Sequence, residues 1–285
     1  MNSLTLHSPA KINLFLKVIG KRPDGFHAIE TLFHRIDLHD TIRFRKNTSG
    51  KIRITTNHPQ VPVGSKNLVY KAAQMLKQKT GCKAGADIHI EKSIPVAAGL
   101  AGGSTNAATA LLGLNRLWAL ELSRRQLLPL AKRIGSDVAF FMHDMTTALG
   151  TGRGEKIRQV KLGKKFCFVL VVPKIKLYAS EIYGGLKLKL TKNNDDVNIL
   201  TCCLRQGDLD ALSHRLRNDL EPVVIRFCPR ISRLKQRFKL LNAKAVMVSG
   251  SGPAVFGLMQ NRNDAEHARE VLAKTYSQVF VTGTL

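Results

Sequence analysis

Cysteine is scarce and unpatterned in this chain. The five residues, Cys82, Cys167, Cys202, Cys203 and Cys228, are odd in number and form no CxxC pair, which argues against a disulfide framework and a thiolate zinc site. They are read as packing residues. Tryptophan occurs once and aromatic residues make up 6%, without the interleaving of aromatic and basic side chains that builds a single-strand nucleic-acid platform. The longest apolar run, 166–173 (FCFVLVVP), is less than half of the ~20 residues a membrane span needs and reads as a buried strand. The first residues, MNSLTLHSPAKINLFLKV, place no basic segment ahead of a hydrophobic block and show no small-residue cleavage site, so a secretory signal is not expected and a cytoplasmic location is. Also missing are GxxxxGK[ST], a GxGxxG leading a βαβ unit, and an HRD–DFG pair. Their absence excludes P-loop, dinucleotide-binding and protein-kinase machinery. No HExxH, clustered His or paired Asp at metal spacing occurs, so no built-in metal site is expected.

Acidic residues are few as well. Asp and Glu number 20 against 45 Lys and Arg, a formal net charge of +25 and a pI near 10.3. Such a surface favours anionic partners, but charge alone does not separate nucleic acid, an acidic membrane and polyphosphate metabolites. The basic residues are spread out instead of forming a tail. Near 226–241, Ile231, Leu234, Phe238 and Leu241 recur at helical spacing beneath Arg230, Arg233 and Arg237, the pattern of an amphipathic helix with a solvated basic face.

What is present is a chain of 285 residues, 44% of them hydrophobic, enough for one large domain or two modest ones, since single cores stop growing near ~250–300 residues. No repeat or low-complexity linker is visible. Alternation at 41–44, 51–55 and 87–91 predicts antiparallel strands, with a helix over about 67–79 between them. A longer helix is expected over 105–119, with Ser104, Thr105 and Asn106 supplying N-cap oxygens. Another is expected over about 123–134, stopped by Gly135. The segment GTGRGE (150–155) marks a break, dividing the chain into domains 1–155 and 156–285. The second half mixes a strand at 166–173, helices after Ser180 and around Ile231, and a strand–turn–strand over 245–259. The fold class is α+β in two layers.

The stretch PVAAGLAGGSTNAA (95–108) runs glycines and small residues straight into a helix. Glycine lets the backbone approach an anion and adopt φ > 0, and the helix start favours negative charge, so the stretch reads as a phosphate loop or, alternatively, a tight strand-to-helix turn. Within SPAKINLFL (8–16), Lys11 stands in an apolar strand. Buried lysines are rarely unpaired, so it either meets a carboxylate or lies at a strand edge in solvent. Within GSDVAFF (135–141), Asp137 follows a helix stop and belongs in or beside a first helical turn, as a cap or as a carboxylate kept ionised by the helix dipole and a nearby lysine. SGSGPAVFG (249–257) reads as a hairpin turn and DGFH (24–27) as a surface turn.

Together SPAKINLFL, RPDGFH (22–27), NLVYKAA (67–73), PVAAGLAGGSTNAA, GSDVAFF, GRGE (152–155), NDLE (218–221) and SGSGPAVF resemble, in order and spacing, the GHMP kinase superfamily of small-molecule kinases. The resemblance spans nearly the whole chain. It implies an N-terminal domain like domain 2 of ribosomal protein S5 and a ferredoxin-like C-terminal domain. It implies ATP as co-substrate with Mg2+, on a loop formed by Pro95, Val96, Ala97, Ala98, Gly99, Leu100, Ala101, Gly102, Gly103, Ser104 and Thr105. The metal would be held by the nucleotide phosphates and water or by Ser104 or Thr105. The implied reaction carries the γ-phosphoryl group to the 2-hydroxyl of 4-diphosphocytidyl-2-C-methyl-D-erythritol, in the non-mevalonate route to isoprenoid precursors. Lys11 and Asp137 are implied as the catalytic pair, the aspartate taking or orienting the acceptor hydroxyl proton and the lysine holding that aspartate or the developing charge. Orientation is the preferred role of the aspartate, because a loose transition state needs positioning more than early deprotonation. Asn13, Phe26, His27 and Tyr183 are implied in substrate binding, with Phe26 and Tyr183 on the cytosine faces and Tyr178 a second candidate. The sequence departs from the family pattern at Ala101, where glycine is usual, at Phe26, which stands for a frequent tyrosine, and in a charge beyond what one ATP and one diphosphate need. Two rivals are an RNA-binding protein, disfavoured by the aromatic content, and a GHMP kinase for homoserine or mevalonate, disfavoured by DGFH and NDLE. Neither a membrane nor nucleic acid is expected as partner.

Overall fold

The computed structural model describes residues 2–186 and 196–285. Two long strands open the chain, β1 (Ser3–Lys21) and β2 (His27–Asn47). Residues 8–18 of β1 are buried almost without interruption, as in a strand covered on both faces. Two compact units are formed, and the division cuts both strands. The first unit takes Met1–Ala10, Leu38–Val96 and Ala101–Asp144; the second takes Lys11–Asp37, Ala97–Leu100 and Met145–Leu285. Both units are discontinuous in sequence, so the division at 155/156 is a reading of chain order alone.

In the first unit follow β3 (Ile52–Thr56), α1 (Leu68–Thr80), β4 (Gly85–Glu91), α2 (Gly102–Leu117), α3 (Arg124–Ile134) and α4 (Ser136–Phe141). β4 alternates buried Ile88 and Ile90 with the more exposed Asp87, His89 and Glu91, which gives it one core face. It pairs antiparallel with β2 from Thr41↔Glu91 to Asn47↔Gly85 and parallel with β3. α1 starts at Asn67, whose Oδ1 accepts from Val69 N at 2.8 Å, and stops at Gly81 with φ +68, a paired N-cap and left-handed C-cap. α3 carries a Ser123–Gln126 capping box and stops at Gly135, the stop that the sequence predicts. At Gly113 of α2 a Cβ would lie 2.7 Å from Phe44, so the missing side chain lets the helix pack closely on the β2 ring.

In the second unit follow β5 (Thr147–Thr151), β6 (Lys156–Val160), β7 (Cys167–Val171), α5 (Ala179–Gly184), α6 (Asp196–Gln206), α7 (Leu209–Ser213), β8 (Arg217–Asn218), α8 (Glu221–Phe227), α9 (Arg230–Leu240), β9 (Ala245–Val248), β10 (Val255–Met259), α10 (Arg262–Ala273) and β11 (Val279–Gly283). β5 pairs antiparallel with β2 over Thr31–His34, and β8 pairs parallel with β1 at Leu16↔Asn218. A four-stranded antiparallel sheet runs β11-β7-β10-β9. With helices after β7 and after β10 this is the βαββαβ order of a ferredoxin-like fold. Ile231, Leu234 and Phe238 of α9 are fully buried, each contributing about 1.5–3 kcal/mol, and the exposed Arg230 and Arg233 lie on the opposite side, as the periodicity predicts. Among the described residues no helix is long and apolar enough to cross a membrane.

Candidate active site

Lys11 is 4% exposed, so the solvent-edge alternative fails. Its Nζ donates to Asn13 Oδ1 at 2.6 Å and to the Gly99 carbonyl at 2.9 Å, and stands 5.8 Å from the Phe33 ring centroid. Successive residues of a strand point to opposite faces, so residues 11 and 13 share one face and can meet. Asn13 is fixed in turn: its Nδ2 donates to Thr31 Oγ1 at 2.7 Å, and the Thr31 hydroxyl donates to Phe15 O at 2.7 Å. Buried polar groups keep their charge or dipole only when paired in this way.

The glycine-rich stretch has a backbone that periodicity does not reveal. Ala97, Gly99 and Ala101 all have positive φ, at 55°, 79° and 56°, and alternating left-handed residues turn successive N–H groups towards one side, the geometry of anion-binding nests. Ala98 O accepts from Ala254 N at 3.1 Å, Leu100 O from Lys11 N at 3.2 Å, and Gly99 O from Ser249 Oγ at 3.2 Å. A Cβ on Gly99 would collide with Ser249 O and lie 3.0 Å from Gly252 N. The SGSG segment does join β9 to β10 as a hairpin, but it also braces this loop and Asn13, whose N donates to Ser249 Oγ at 3.3 Å.

α2 begins at Gly102, with Ala101 as N-cap and no side-chain cap. This corrects the expected start at 105 and the expected capping by Ser104, Thr105 and Asn106. Thr105 and Asn106 are buried and turn inward: Thr105 Oγ1 accepts from Ser8 Oγ at 3.1 Å, and Asn106 Nδ2 donates to Ser8 Oγ at 3.0 Å and Asp40 Oδ2 at 2.8 Å. Fully buried Asp40 also accepts from Lys92 Nζ at 2.7 Å and from the N–H groups of Ser93 and Ile94 at 2.8 Å. It thus holds the residues before the loop and the first turn of the helix after it. Burial pushes the Lys92 pKa down while the Asp40 charge and hydrogen bond oppose that shift. Asp137 stands in the first turn of α4, whose N-cap is Gly135 without a side-chain bond, so it is not the cap.

His27 and Tyr183 stack, with centroids 5.2 Å apart and planes at 26°. Burial, assisted by the Lys21 charge, holds the His27 pKa below its ordinary value, which favours the neutral ring. The expected pair of Phe26 and Tyr183 is arranged differently: Phe26 is 54% exposed with the Arg153 guanidinium 4.7 Å over its ring, a cation–π contact. Tyr178 is 56% exposed. Asp40, Lys92, Thr31, Arg153, Asn218 and Ser249 were not among the expected site residues. Arg153, Asn218 and Ser249 lay inside quoted motifs; the others carry no local signal.

Residues 67–144 match the family description "GHMP kinases N terminal domain" and residues 202–278 match "GHMP kinases C terminal". A 4-diphosphocytidyl-2-C-methyl-D-erythritol kinase of Bacillus cytotoxicus is 42% identical over 282 residues, covering 99% of this chain and 97% of the relative. One of Clostridioides difficile is 40% identical, covering 100% and 96%. A crystal structure of 4-(cytidine 5'-diphospho)-2C-methyl-D-erythritol kinase aligns with a TM-score of 0.82 at 29% identity, over 99% of this chain and 100% of that one. Full-length similarity of this order, with both GHMP segments in place, shows that the chain belongs to the GHMP kinases and, within them, to the 4-diphosphocytidyl-2-C-methyl-D-erythritol kinase family.

Proposed function

We propose that the chain transfers the γ-phosphoryl group of ATP to the 2-hydroxyl of 4-diphosphocytidyl-2-C-methyl-D-erythritol, giving the 2-phosphate and ADP, in the cytoplasm and in the non-mevalonate route to isoprenoid precursors. The observation that carries this reading is the buried Lys11 ammonium on the carbonyl of Gly99, inside the glycine-rich stretch, in a chain whose full-length relatives bear that name. Phosphoryl transfer proceeds through a loose transition state in which positioning and charge stabilisation dominate. N–H groups of residues 96–105 bind the ATP phosphates, Pro95 having none to donate. The Lys11 ammonium stabilises the charge that builds on the transferred group. Asp137 accepts the hydrogen bond of the acceptor hydroxyl and takes its proton as the new O–P bond forms and the bond to the ADP oxygen breaks.

Mg2+ would be held chiefly by the ATP phosphates, for among the described residues no group of three or more His, Cys, Asp or Glu gathers to hold an ion. Of the two hydroxyls in question Ser104 fits better, being partly exposed, whereas Thr105 is buried and bonded to Ser8. When bound, the ion neutralises phosphate charge. Asn13 orients Lys11, and neutral His27 offers one donor and one acceptor nitrogen to the cytosine edge beside Tyr183 and Phe26. A division near 155/156 into an ATP-binding N-terminal part and a C-terminal GHMP part is supported by the two family segments, which fall on either side of it. The test is an acceptor panel with Mg-ATP, read by phosphorus NMR. A new phosphomonoester on the 2-oxygen of the diphosphocytidyl acceptor, and none with homoserine or mevalonate, is expected; preference for either small acceptor would overturn the reading.

A further inference from the structure

The NDLE run at 218–221 marks the family resemblance, yet none of its residues takes part in the reaction derived above. Asn218 is 7% exposed and its amide is fully engaged. Nδ2 donates to both Val248 O and Gly250 O at 2.8 Å, and Oδ1 accepts from Leu220 N at 3.0 Å. Glu221 grips the same strand end from the other side, accepting from Val248 N at 2.7 Å while paired with Lys235. Asp219 accepts from Val18 N at 2.9 Å and Arg217 Nε at 2.7 Å. The run therefore ties the end of β9 to β1, the strand that carries Lys11.

What this grip holds is the peptide at Gly250. That residue has φ +57, and a Cβ on it would lie 3.0 Å from Asn13 Oδ1 and 3.5 Å from Lys11 Nζ. The peptide thus packs against the very oxygen that accepts the Lys11 ammonium. Next to it, Ser249 Oγ shares the Gly99 carbonyl with Lys11 and accepts from Asn13 N. An amide with both hydrogens on carbonyls of one short segment has a single orientation available, so the segment and the lysine contacts it backs are set together.

We infer that Asn218 is a positioning residue for phosphoryl transfer: by holding Val248 and Gly250 it sets where the Lys11 ammonium stands. The inference rests on the reading that Lys11 acts on the transferred group. Misplacing a reacting group by about 1 Å costs on the order of 100-fold. Asn218→Ala is therefore expected to lower kcat by about 10–100-fold with both KM values little changed.

The experiment is a double-mutant cycle of Asn218→Ala with Lys11→Ala in the full chain, with folding checked by near-ultraviolet circular dichroism. Asn218→Asp, which keeps the acceptor for Leu220 N and loses both donors, enters the cycle if the alanine variant does not fold. Coupling through Lys11 predicts that Asn218→Ala has no further effect on kcat once Lys11 is alanine. Losses that multiply, or an Asn218 variant with wild-type kcat beside an impaired Lys11→Ala, overturn the inference alone. Normal turnover by Lys11→Ala overturns the reading beneath it.

Discussion

Lys11 Nζ and Ser249 Oγ converge on one acceptor, the carbonyl oxygen of Gly99, at 2.9 and 3.2 Å. The loop backbone and the candidate catalytic ammonium are thereby held by the same atom, and the left-handed φ of Gly99 presents that carbonyl. An L-residue in this conformation costs roughly 1–2 kcal/mol, and here a methyl group also collides with Ser249 O. Gly99→Ala is expected to lower unfolding free energy by more than about 2 kcal/mol and to abolish turnover. Urea titration and steady-state assay check both, and a variant with native stability and rate would contradict the geometry.

Asp40 and Lys92 form an ion pair with side chains 0% and 4% exposed. Removing one member leaves the other charge buried, at a cost of about 3–5 kcal/mol, whereas an apolar pair of similar size is often neutral. Asp40→Ala should therefore destabilise strongly, and Asp40→Leu combined with Lys92→Met should recover only the part owed to the unpaired ammonium, because Ser93 N, Ile94 N and Asn106 Nδ2 still lose their acceptor. Denaturant midpoints decide; a loss under about 1 kcal/mol in the single variant would mean that water reaches the pair.

Ala101 stands at φ +56 as the residue before α2, where the family resemblance leads one to expect glycine. Relief of left-handed strain favours Ala101→Gly, and the larger unfolded-state entropy of glycine opposes it. The expected balance is a gain of about 0–1 kcal/mol, read as an unchanged or raised thermal midpoint. A clear loss would show that the methyl group makes a contact worth more than the strain.

His34 is fully buried, its ring nitrogens 2.7 Å from Thr147 Oγ1 and 3.1 Å from Thr284 Oγ1, and burial pushes its pKa from 6.5 down to about 3. The unfolded chain binds the proton first as pH falls, so the stability contributed by the neutral ring is complete above pH 6.5 and is lost progressively towards pH 3. The slope is up to about 1.4 kcal/mol per pH unit. The stability difference between wild type and His34→Gln should narrow at that rate on acidification. Parallel pH profiles for the two proteins would contradict this account.

Local chemistry was legible and long-range partnership was not. The helices at 68–80 and 124–134 fall within a residue of the expected spans, and the second stops at Gly135 as expected, because periodicity and stop signals act over a few residues. α2 was misread at its start because Thr105 and Asn106, good capping residues by type, are drawn inward by Ser8 and Asp40. A one-dimensional pattern tells which face a residue occupies, not which distant residue meets it. Asp40 and Lys92 lie 52 residues apart, and Asn218 lies 32 from Gly250. Lys11 was visible as a charge in an apolar strand; that its buried ammonium would meet Asn13 and a glycine carbonyl required the turn geometry at Gly99, which composition alone does not specify.

The most direct test of the central claim is ADP release by the purified protein with Mg-ATP, with and without 4-diphosphocytidyl-2-C-methyl-D-erythritol, beside Asp137→Asn. Acceptor-dependent release that the variant loses while still binding ATP is the expected result; release indifferent to the acceptor, or undiminished in the variant, would contradict the assignment of substrate or of Asp137.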